Sequence, residues 1–190
     1  MGSDEVIAAT ECWIKNVVVG LNLCPFAAPV VNKKQVFYTV SNGKDEPALF
    51  RDTLEALDRF QQMDEQSAQT GFLIFSQGMR DFDEFNNFLN VVDYLLEESG
   101  LIGILQVVGF HPNYRFDGST DNDPANYTNR SPFPMFHLIL EDDLESAVAS
   151  HPNPSSIPER NIKLLRELGE AEMARRLAAC IRIASPQNKE

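Results

Sequence analysis

An alternation of strand patterns and helical patterns is the feature that most constrains the fold. Residues 36–40 carry the alternating, β-rich pattern of a strand, and a helical pattern begins after Asp45. The apolar run Gly71–Phe75 and a second helical pattern after Asp81 repeat this order. Further strands are predicted at residues 104–110 and 135–140. This alternation predicts an α/β fold with a mostly parallel, four-stranded sheet and helices packed on it.

The whole chain, residues 1–190, is predicted to form a single α/β domain, because 190 residues suit one hydrophobic core. Apolar residues at helical spacing predict an N-terminal helix within residues 1–20, and Gly20 is interpreted as its stop. Residues 155–184 are predicted to form two C-terminal helices, since Ser156 and Glu159 resemble a capping box. We expect these helices to cover the sheet.

The charge of the chain argues against polyanionic partners. It has 16 Lys and Arg residues against 28 Asp and Glu residues, a formal net charge of −12. Neither nucleic acid nor a membrane is expected as a partner, because both attract clustered Lys and Arg side chains. The first residues lack a signal-peptide pattern, and the three cysteines form no C-x-x-C pair. These features favour a cytoplasmic protein with free thiols.

Segment 111–134 lacks helix or strand periodicity and exceeds the ~12 to 15 residues usual for a structureless connection. Its aromatic, Asn and Asp side chains can hold it in an ordered form through local contacts. The segment follows the third predicted strand, and ligands of open α/β sheets bind at the carboxyl ends of such strands. We therefore expect an ordered functional loop before the last strand.

Cys24 is the thiol that the sequence indicates as a candidate nucleophile. Pro25 keeps it extended after the first helix, whereas the other two cysteines lie within helical patterns. A buried, inert cysteine is the alternative interpretation, and the nearby carboxyl end of a helix would raise a thiol pKa. As a nucleophile, Cys24 would need a base and an orienting Asn or Asp beside it.

His111 and His137 are the candidate bases. His111 ends the third predicted strand at the expected functional edge, so its ring can point into the loop. His137 lies within the last strand, where a core histidine with satisfied hydrogen bonds is the alternative. Asn126 or Asp123 could orient the base. The predicted catalytic residues are therefore Cys24 with His111 or His137.

Arg130 lies between Asn129 and Ser131 and could bind a substrate carboxylate through two parallel hydrogen bonds. The alternative is a structural salt bridge within the loop. We expect the ligand to be a small polar molecule, with a carboxylate as one option, and no cofactor is predicted. The predicted substrate-binding residues are Asn22, Tyr114, Asn126, Tyr127, Asn129, Arg130 and Ser131.

A transition-metal site is an alternative use of the same side chains. His111, His137, Cys24 and Asp123 offer the nitrogen, sulfur and oxygen ligands that zinc or another transition ion binds. No motif such as H-E-x-x-H places two of these ligands on one element. The metal site is therefore the second interpretation, after the thiol site.

Three segments carry a resemblance to a known family. They are Trp13–Phe26 with Leu-Cys-Pro-Phe at its end, Gly109–Pro112, and Asn126–Pro134, which leads into the last strand. The chain resembles a bacterial family known only as domain of unknown function 1415, from the first helix to the linker near His151. The resemblance assigns no chemistry. It implies that six residues belong together: Cys24, His111, Asn126, Asn129, Arg130 and His137.

The leading functional hypothesis is a small-molecule hydrolase or group-transfer enzyme that uses Cys24 with His111 or His137. The reaction would pass through a thioester-like intermediate. A transition-metal-binding protein is the first alternative, and a non-catalytic ligand-binding or interaction module is the second. The sequence leaves the substrate and the oligomeric state open.

Overall fold

A computed structural model describes residues 1–64 and 67–184, so the end of the predicted 1–190 domain, residues 185–190, lies outside the described residues. Seven helices and four strands follow one another in this part of the chain. The helices are α1 (Ser3–Trp13), α2 (Ala27–Asn32), α3 (Glu46–Gln61), α4 (Phe82–Glu98), α5 (Glu141–Ser150), α6 (Ile157–Leu168) and α7 (Glu170–Ala184). The strands are β1 (Val36–Ser41), β2 (Thr70–Phe75), β3 (Leu105–Phe110) and β4 (Met135–Leu140).

The four strands form one mixed sheet in the order β1-β2-β4-β3. β1 pairs with β2 in parallel, from Val36 opposite Thr70 to Ser41 opposite Phe75. β4 lies between β2 and β3 and is antiparallel to both. The α/β class with four strands is therefore confirmed, but the prediction of a mostly parallel sheet is wrong.

The connection between β3 and β4 explains the antiparallel strand. For β4 to run parallel to β3, the chain would have to cross to the opposite end of the strands before β4 begins, usually through a helix. Segment 111–134 instead leaves β3 and enters β4 at the same end of the sheet. The only regular structure in this fully described segment is one short 3₁₀ helix, Pro124–Thr128. Because no crossover helix intervenes, β4 must run back against β3.

Helices pack on both faces of the sheet. α3 and α4 cover one face with Leu57, Phe60, Phe85 and Phe88, which lie in one buried cluster with strand residues such as Phe136. On the other face, α1, α6 and α7 contribute Trp13, Leu165 and Met173 to a second cluster that includes Phe72 and Met135. The sheet is therefore the middle layer of three. Among the residues that the structure describes, no helix has the length and apolar character needed to cross a bilayer.

The N-terminal helix changes form before Cys24. After α1 the chain continues as a π-helix, Ile14–Val19, with the N–H of Gly20 bonded to the carbonyl of Lys15 at 3.0 Å. Gly20 keeps a helical φ of −62°, and Asn22 takes the left-handed conformation, with φ 52°. Asn22, not Gly20, therefore ends the helical path, and π-helical turns are frequent at functional sites.

Candidate functional site

A mainly apolar cavity of about 210 Å³, partly open to solvent, lies on the face of the sheet that α1 covers. Its walls come from the end of α1, the π-helix, the segment after it with α2, all four strands and α5. We call it the Cys24–His137 cavity, because these two side chains lie in its wall. The aromatic side chains around them are Trp13, Phe26, Phe72 and Phe110.

Two larger depressions elsewhere are polar clefts. One, of about 580 Å³, lies beside β1 and is lined by exposed side chains such as Lys44 and Arg51. Another, of about 590 Å³, lies beside the long loop and includes Arg115 and Asp117. Binding sites for small molecules are usually concave, mostly apolar and provided with a few convergent polar groups. The Cys24–His137 cavity matches that description best.

Cys24 lies in the turn between the π-helix and α2, half-buried in the cavity wall. Burial raises the pKa of its thiol above the ordinary value, and hydrogen bonds from the backbone N–H groups of Phe26 and Ala27, which lower the pKa, do not offset the effect of burial. The thiol is therefore protonated near neutral pH. Such a thiol is less reactive than an activated thiolate.

His137 lies on β4, an inner strand, and is half-buried in the cavity wall. The ring stacks on Phe72 with centroids 4.5 Å apart and planes 5° apart. Its Nε2 atom lies 2.5 Å from the Thr70 hydroxyl oxygen. Burial lowers the pKa of His137 to about 4, so the ring is neutral near neutral pH.

Cys24 and His137 thus share one wall, but no hydrogen bond joins their side chains in the described part of the chain. An activated thiolate usually depends on a charged or bonded neighbour. Both groups here are neutral and both owe their pKa shifts mainly to burial. The wall therefore presents uncharged polar groups to an apolar space.

His111 is not part of this cavity. Its ring is buried, with Nε2 3.0 Å from the carbonyl oxygen of Met79, and Nδ1 accepts the backbone N–H of Asn113 at 3.0 Å. Burial lowers its pKa. Because both ring nitrogens are engaged by the backbone, His111 fastens the start of the loop to the β2–α4 connection and has no free nitrogen for proton transfer.

Asn126 holds the long loop together from within. It is completely buried, and its carbonyl oxygen accepts the N–H of Phe116 at 3.1 Å and the hydroxyl of Ser119 at 2.8 Å. Its amide group donates to the carbonyl oxygen of Thr120 at 2.8 Å. The predicted hydrogen-bonding role of Asn126 is therefore used on the loop itself and leaves little capacity for a substrate.

Arg130 is occupied in the same way. Its Nε atom donates to the carbonyl oxygen of Tyr114 at 3.0 Å, and one terminal nitrogen donates to the carbonyl oxygen of Asp121 at 2.7 Å. The guanidinium also lies over the Tyr127 ring, 4.8 Å from its centroid. Tyr127 is itself buried. The side chain expected to bind a carboxylate is thus engaged by the loop backbone.

Two further predicted substrate-binding residues also bond within the loop or to its ends. The Asn129 amide donates to the carbonyl oxygen of Gly109 at 3.3 Å, and the backbone carbonyl of Asn129 accepts the N–H of His111. The buried Ser131 hydroxyl donates to the carbonyl oxygen of Phe133 at 2.6 Å. Both residues shape the return of the chain into β4.

Asn22 and Tyr114 lie in different places. The carbonyl oxygen of Asn22 accepts a hydrogen bond from Arg160, so Asn22 ties the turn before Cys24 to α6. Tyr114 packs edge-on against Phe82 and Phe116 at one side of the loop. The seven predicted substrate-binding residues therefore do not line one common site.

A family model described as "Protein of unknown function (DUF1415)" matches residues 5–175, which reach from α1 into α7. The chain belongs to the DUF1415 family. No curated protein and no solved structure matched it. Since the description of DUF1415 names no activity, the chemistry must be argued from the cavity and the loop.

The alternative metal site finds no support in the geometry of this DUF1415 protein. Within residues 1–64 and 67–184, no three His, Cys, Asp or Glu side chains converge as metal ligands. Of the four predicted ligands, only Cys24 and His137 share a wall. Asp123 accepts hydrogen bonds from Arg166, at 2.7 Å, and from the N–H of Ala125, and these bonds hold the pKa of its carboxyl group below the ordinary range.

The sequence interpretation missed several residues of the cavity. Thr70 and Phe72 set the orientation of His137 from the neighbouring strand, and Trp13 closes the wall from α1. Leu144 adds a wall from α5, a helix that was not predicted. One signal was present, because Trp13 and Cys24 lie in the same family-like segment. The contact of that segment with β2 and β4 required the tertiary structure.

Proposed function

We propose that this protein binds a small, mainly apolar molecule in the Cys24–His137 cavity. The observation that carries the proposal is the position of His137, an ionisable side chain on an inner strand that borders an apolar cavity. A polar group facing an apolar space is costly unless a partner satisfies it. Binding of a ligand would supply that partner, and it needs no cofactor or metal.

The walls favour a different ligand from the one expected from the sequence. A small polar molecule with a carboxylate suited Arg130, but Arg130 is engaged by the loop. The cavity walls are mostly aliphatic and aromatic side chains. Burial of such a ligand stabilises the complex by roughly 25 cal/mol for each Å² of apolar surface removed from water. An apolar molecule therefore gains more here than a polar one.

Entry of the ligand is easiest between α2 and α5. Both helices contribute to the cavity wall, through residues such as Val31 and Ala147. Neither helix contributes a fully buried side chain. Segments with few buried apolar contacts open at a lower free-energy cost than the core does. We therefore place the route into the cavity between these two helices.

Toluene is a suitable first probe, with the indole N–H resonance of Trp13 as the readout. Trp13 is the single tryptophan of the chain and lies in the wall, so its NMR signal reports on the cavity. Saturable binding is expected in the wild type. Ala147→Phe, which places a ring on the wall, should abolish it, whereas the exposed Ala149→Phe on the same helix should not. Equal binding in all three proteins would place the site elsewhere.

Thiol chemistry is the second candidate function, and one observation favours it. Cys24 and His137 border the same small cavity, and two backbone N–H groups point at the Cys24 sulfur. A neutral ester could be attacked there: the thiol proton passes to His137, an S–C bond forms, the ester C–O bond breaks, and His137 returns the proton to the leaving oxygen, which departs as the alcohol.

Acetyl transfer from 4-nitrophenyl acetate tests this second candidate. Mass spectrometry should find the acetyl group on Cys24, with release of nitrophenolate, and Cys24→Ser should release none above the background rate. His137→Phe should slow acetylation of Cys24 if His137 takes the proton. Acetylation at the same rate on Cys12 would show general thiol reactivity and would remove the candidate.

A further inference from the structure

The charge of the wall limits the ligands that the Cys24–His137 cavity can hold. Lys and Arg side chains are not among the described residues of the wall, and one of its members is the acidic residue Asp143. A carboxylate or phosphate buried there would lose its hydration without gaining a cationic partner, which is strongly unfavourable. The neutral state of His137 provides no positive charge either. The wall therefore excludes anions.

The volume limits the size. An apolar cavity of about 150 Å³ is large enough to hold benzene. The Cys24–His137 cavity, at about 210 Å³, holds one ring with a short substituent, or an aliphatic molecule of similar volume. Phe110 provides an aromatic surface on which a flat ligand can pack, and Phe72, whose ring faces lie against His137 and Tyr38, adds apolar surface to the wall.

His137 indicates that this ligand carries one polar group. Its Nε2 atom is engaged by Thr70, whereas Nδ1 makes no hydrogen bond to any described residue. The ring nitrogen can donate or accept a hydrogen bond according to its tautomer. The indole N–H of Trp13, in the same wall, is also buried without a hydrogen-bond partner in the described chain. A purely apolar ligand would leave both groups unsatisfied.

We propose that the ligand is a neutral, single-ring-sized compound with one uncharged polar group, a hydroxyl or a carbonyl, that hydrogen-bonds to His137. This inference rests on the proposed binding function and names its ligand class. The apolar part of the ligand packs against Phe72 and Phe110, and the polar group lies at β4. Anionic metabolites of the same size are rejected.

Four compounds with the same number of non-hydrogen atoms test the ligand class. Cumene, 1-phenylethanol, acetophenone and benzoate differ only in the group attached to the ring, which is a branched alkyl group, a hydroxyl, a carbonyl or a carboxylate. Dissociation constants are measured by titration of the Trp13 indole resonance, with calorimetry as a second method. We expect 1-phenylethanol and acetophenone to bind about threefold to tenfold more tightly than cumene, the range of one net hydrogen bond. Benzoate should not bind.

His137→Phe identifies the group that recognises the polar substituent. The variant keeps an aromatic ring on Phe72 but removes both nitrogens, so the advantage of the polar compounds over cumene should vanish while cumene still binds. The exposed Tyr94→Phe is the control and should preserve the advantage. If His137→Phe does not fold, the ¹⁵N chemical shift of His137 Nδ1 in the wild type tests whether His137 contacts the polar substituent. It should move on binding of 1-phenylethanol and stay unchanged with cumene.

The outcomes separate the two proposals. If neither toluene nor any of the four compounds binds, the binding function itself is wrong. If cumene binds as tightly as the polar compounds, the cavity is a binding site but its polar group is not used, and the ligand class proposed here is overturned. Tightest binding by benzoate would overturn it as well.

Discussion

The long loop and the Cys24–His137 cavity use polar side chains in opposite ways. In the loop, Asn126 and Arg130 direct their donors and acceptors at neighbouring backbone groups of the loop. In the cavity, Cys24 and His137 stand in a wall of apolar side chains, without a hydrogen bond between them. The loop is rich in polar groups that are hydrogen-bonded within it, whereas the cavity has few polar groups and leaves the indole N–H of Trp13 and Nδ1 of His137 without a hydrogen-bond partner in the described chain.

The difference shows where a ligand can gain binding energy. Replacing an existing internal hydrogen bond by one to a ligand yields little net free energy, because the protein partner is lost. A ligand hydrogen bond to a polar group that faces an apolar space yields more net binding free energy, because that group has already lost its water on folding. The loop is therefore a structural device, and the cavity is the better candidate site.

The largest expected effect is on the loop. Asn126→Ala should lower the free energy of unfolding by about 3 to 4 kcal/mol, because the N–H of Phe116, the hydroxyl of Ser119 and the carbonyl of Thr120 all lose their partner. Urea unfolding measures it, and exposed Asn113→Ala is the control. Toluene should still bind to the folded variant with an unchanged dissociation constant. A loss of toluene binding would show that loop and cavity are one site.

The next effect concerns pH and the cavity. The pKa of His137 is about 4 in the folded chain and about 6.5 when unfolded, so the unfolded chain binds the additional proton between these values. The contribution of His137 to the free energy of unfolding is complete above pH 6.5 and is lost as the pH falls to 4, by up to about 3 kcal/mol.

His137→Phe should therefore reduce the change in unfolding free energy between pH 6.5 and pH 4 relative to the wild type. Urea unfolding at both pH values measures the difference between the two proteins, in which the carboxylate contributions cancel. An equal change in unfolding free energy between the two pH values in wild type and variant would contradict the burial of a neutral His137. The cavity would then not differ from the loop in the way described above.

A smaller effect is expected at Arg130. Arg130→Lys removes the forked donor that bonds the carbonyl oxygens of Tyr114 and Asp121, and one of these bonds should be lost. The free energy of unfolding should fall by about 1 to 2 kcal/mol. Arg115→Lys in the same loop is the matched control, because that exposed side chain makes one ion pair, and it should change little. An unchanged free energy of unfolding in Arg130→Lys would show that the loop does not need the Arg130 hydrogen bonds, and Arg130 would again be a candidate substrate-binding residue.

The smallest effect is expected at Cys24. Cys24→Ser should change the free energy of unfolding by less than about 1 kcal/mol, since the hydroxyl can also accept the N–H groups of Phe26 and Ala27. Cys180→Ser provides the contrast, because Cys180 lies in the core and a buried hydroxyl costs about 1 to 3 kcal/mol. Equal losses in both variants would make Cys24 a packing residue like Cys180.

Local chemistry accounts for the elements that the sequence predicts well. Asp45 and Asp81 cap α3 and α4 through their side chains as expected, because a carboxylate can satisfy N–H groups two or three residues ahead. β2 is apolar throughout because both of its faces are covered. The direction of β4 was predicted wrongly, since nothing local distinguishes a strand that returns from one that crosses over.

The candidate site divides in the same way. The sequence indicates Cys24 and His137 as polar side chains in unusual positions, and the structure brings both to one cavity. The sequence indicates Asn126, Arg130 and His111 as site residues just as clearly. In the structure, however, their hydrogen-bond partners are backbone groups, which no side-chain motif reveals. A motif shows that a residue type is needed, and only its contacts show what it is needed for.

By itself, the sequence determined the four strand segments, five of the seven described helices and the family, because these depend on neighbouring residues and their spacing. The capping box predicted at Ser156 is wrong, since the Ser156 hydroxyl donates to the carbonyl oxygen of Asn153 instead of accepting from the start of α6. The tertiary structure decided that β4 lies antiparallel between β2 and β3, which puts His137 opposite Phe72 and beside Thr70. It also decided that the turn carrying Cys24 closes over that strand. The physical reason is that a cavity is defined by the side chains that surround it, and these come from segments far apart in the chain.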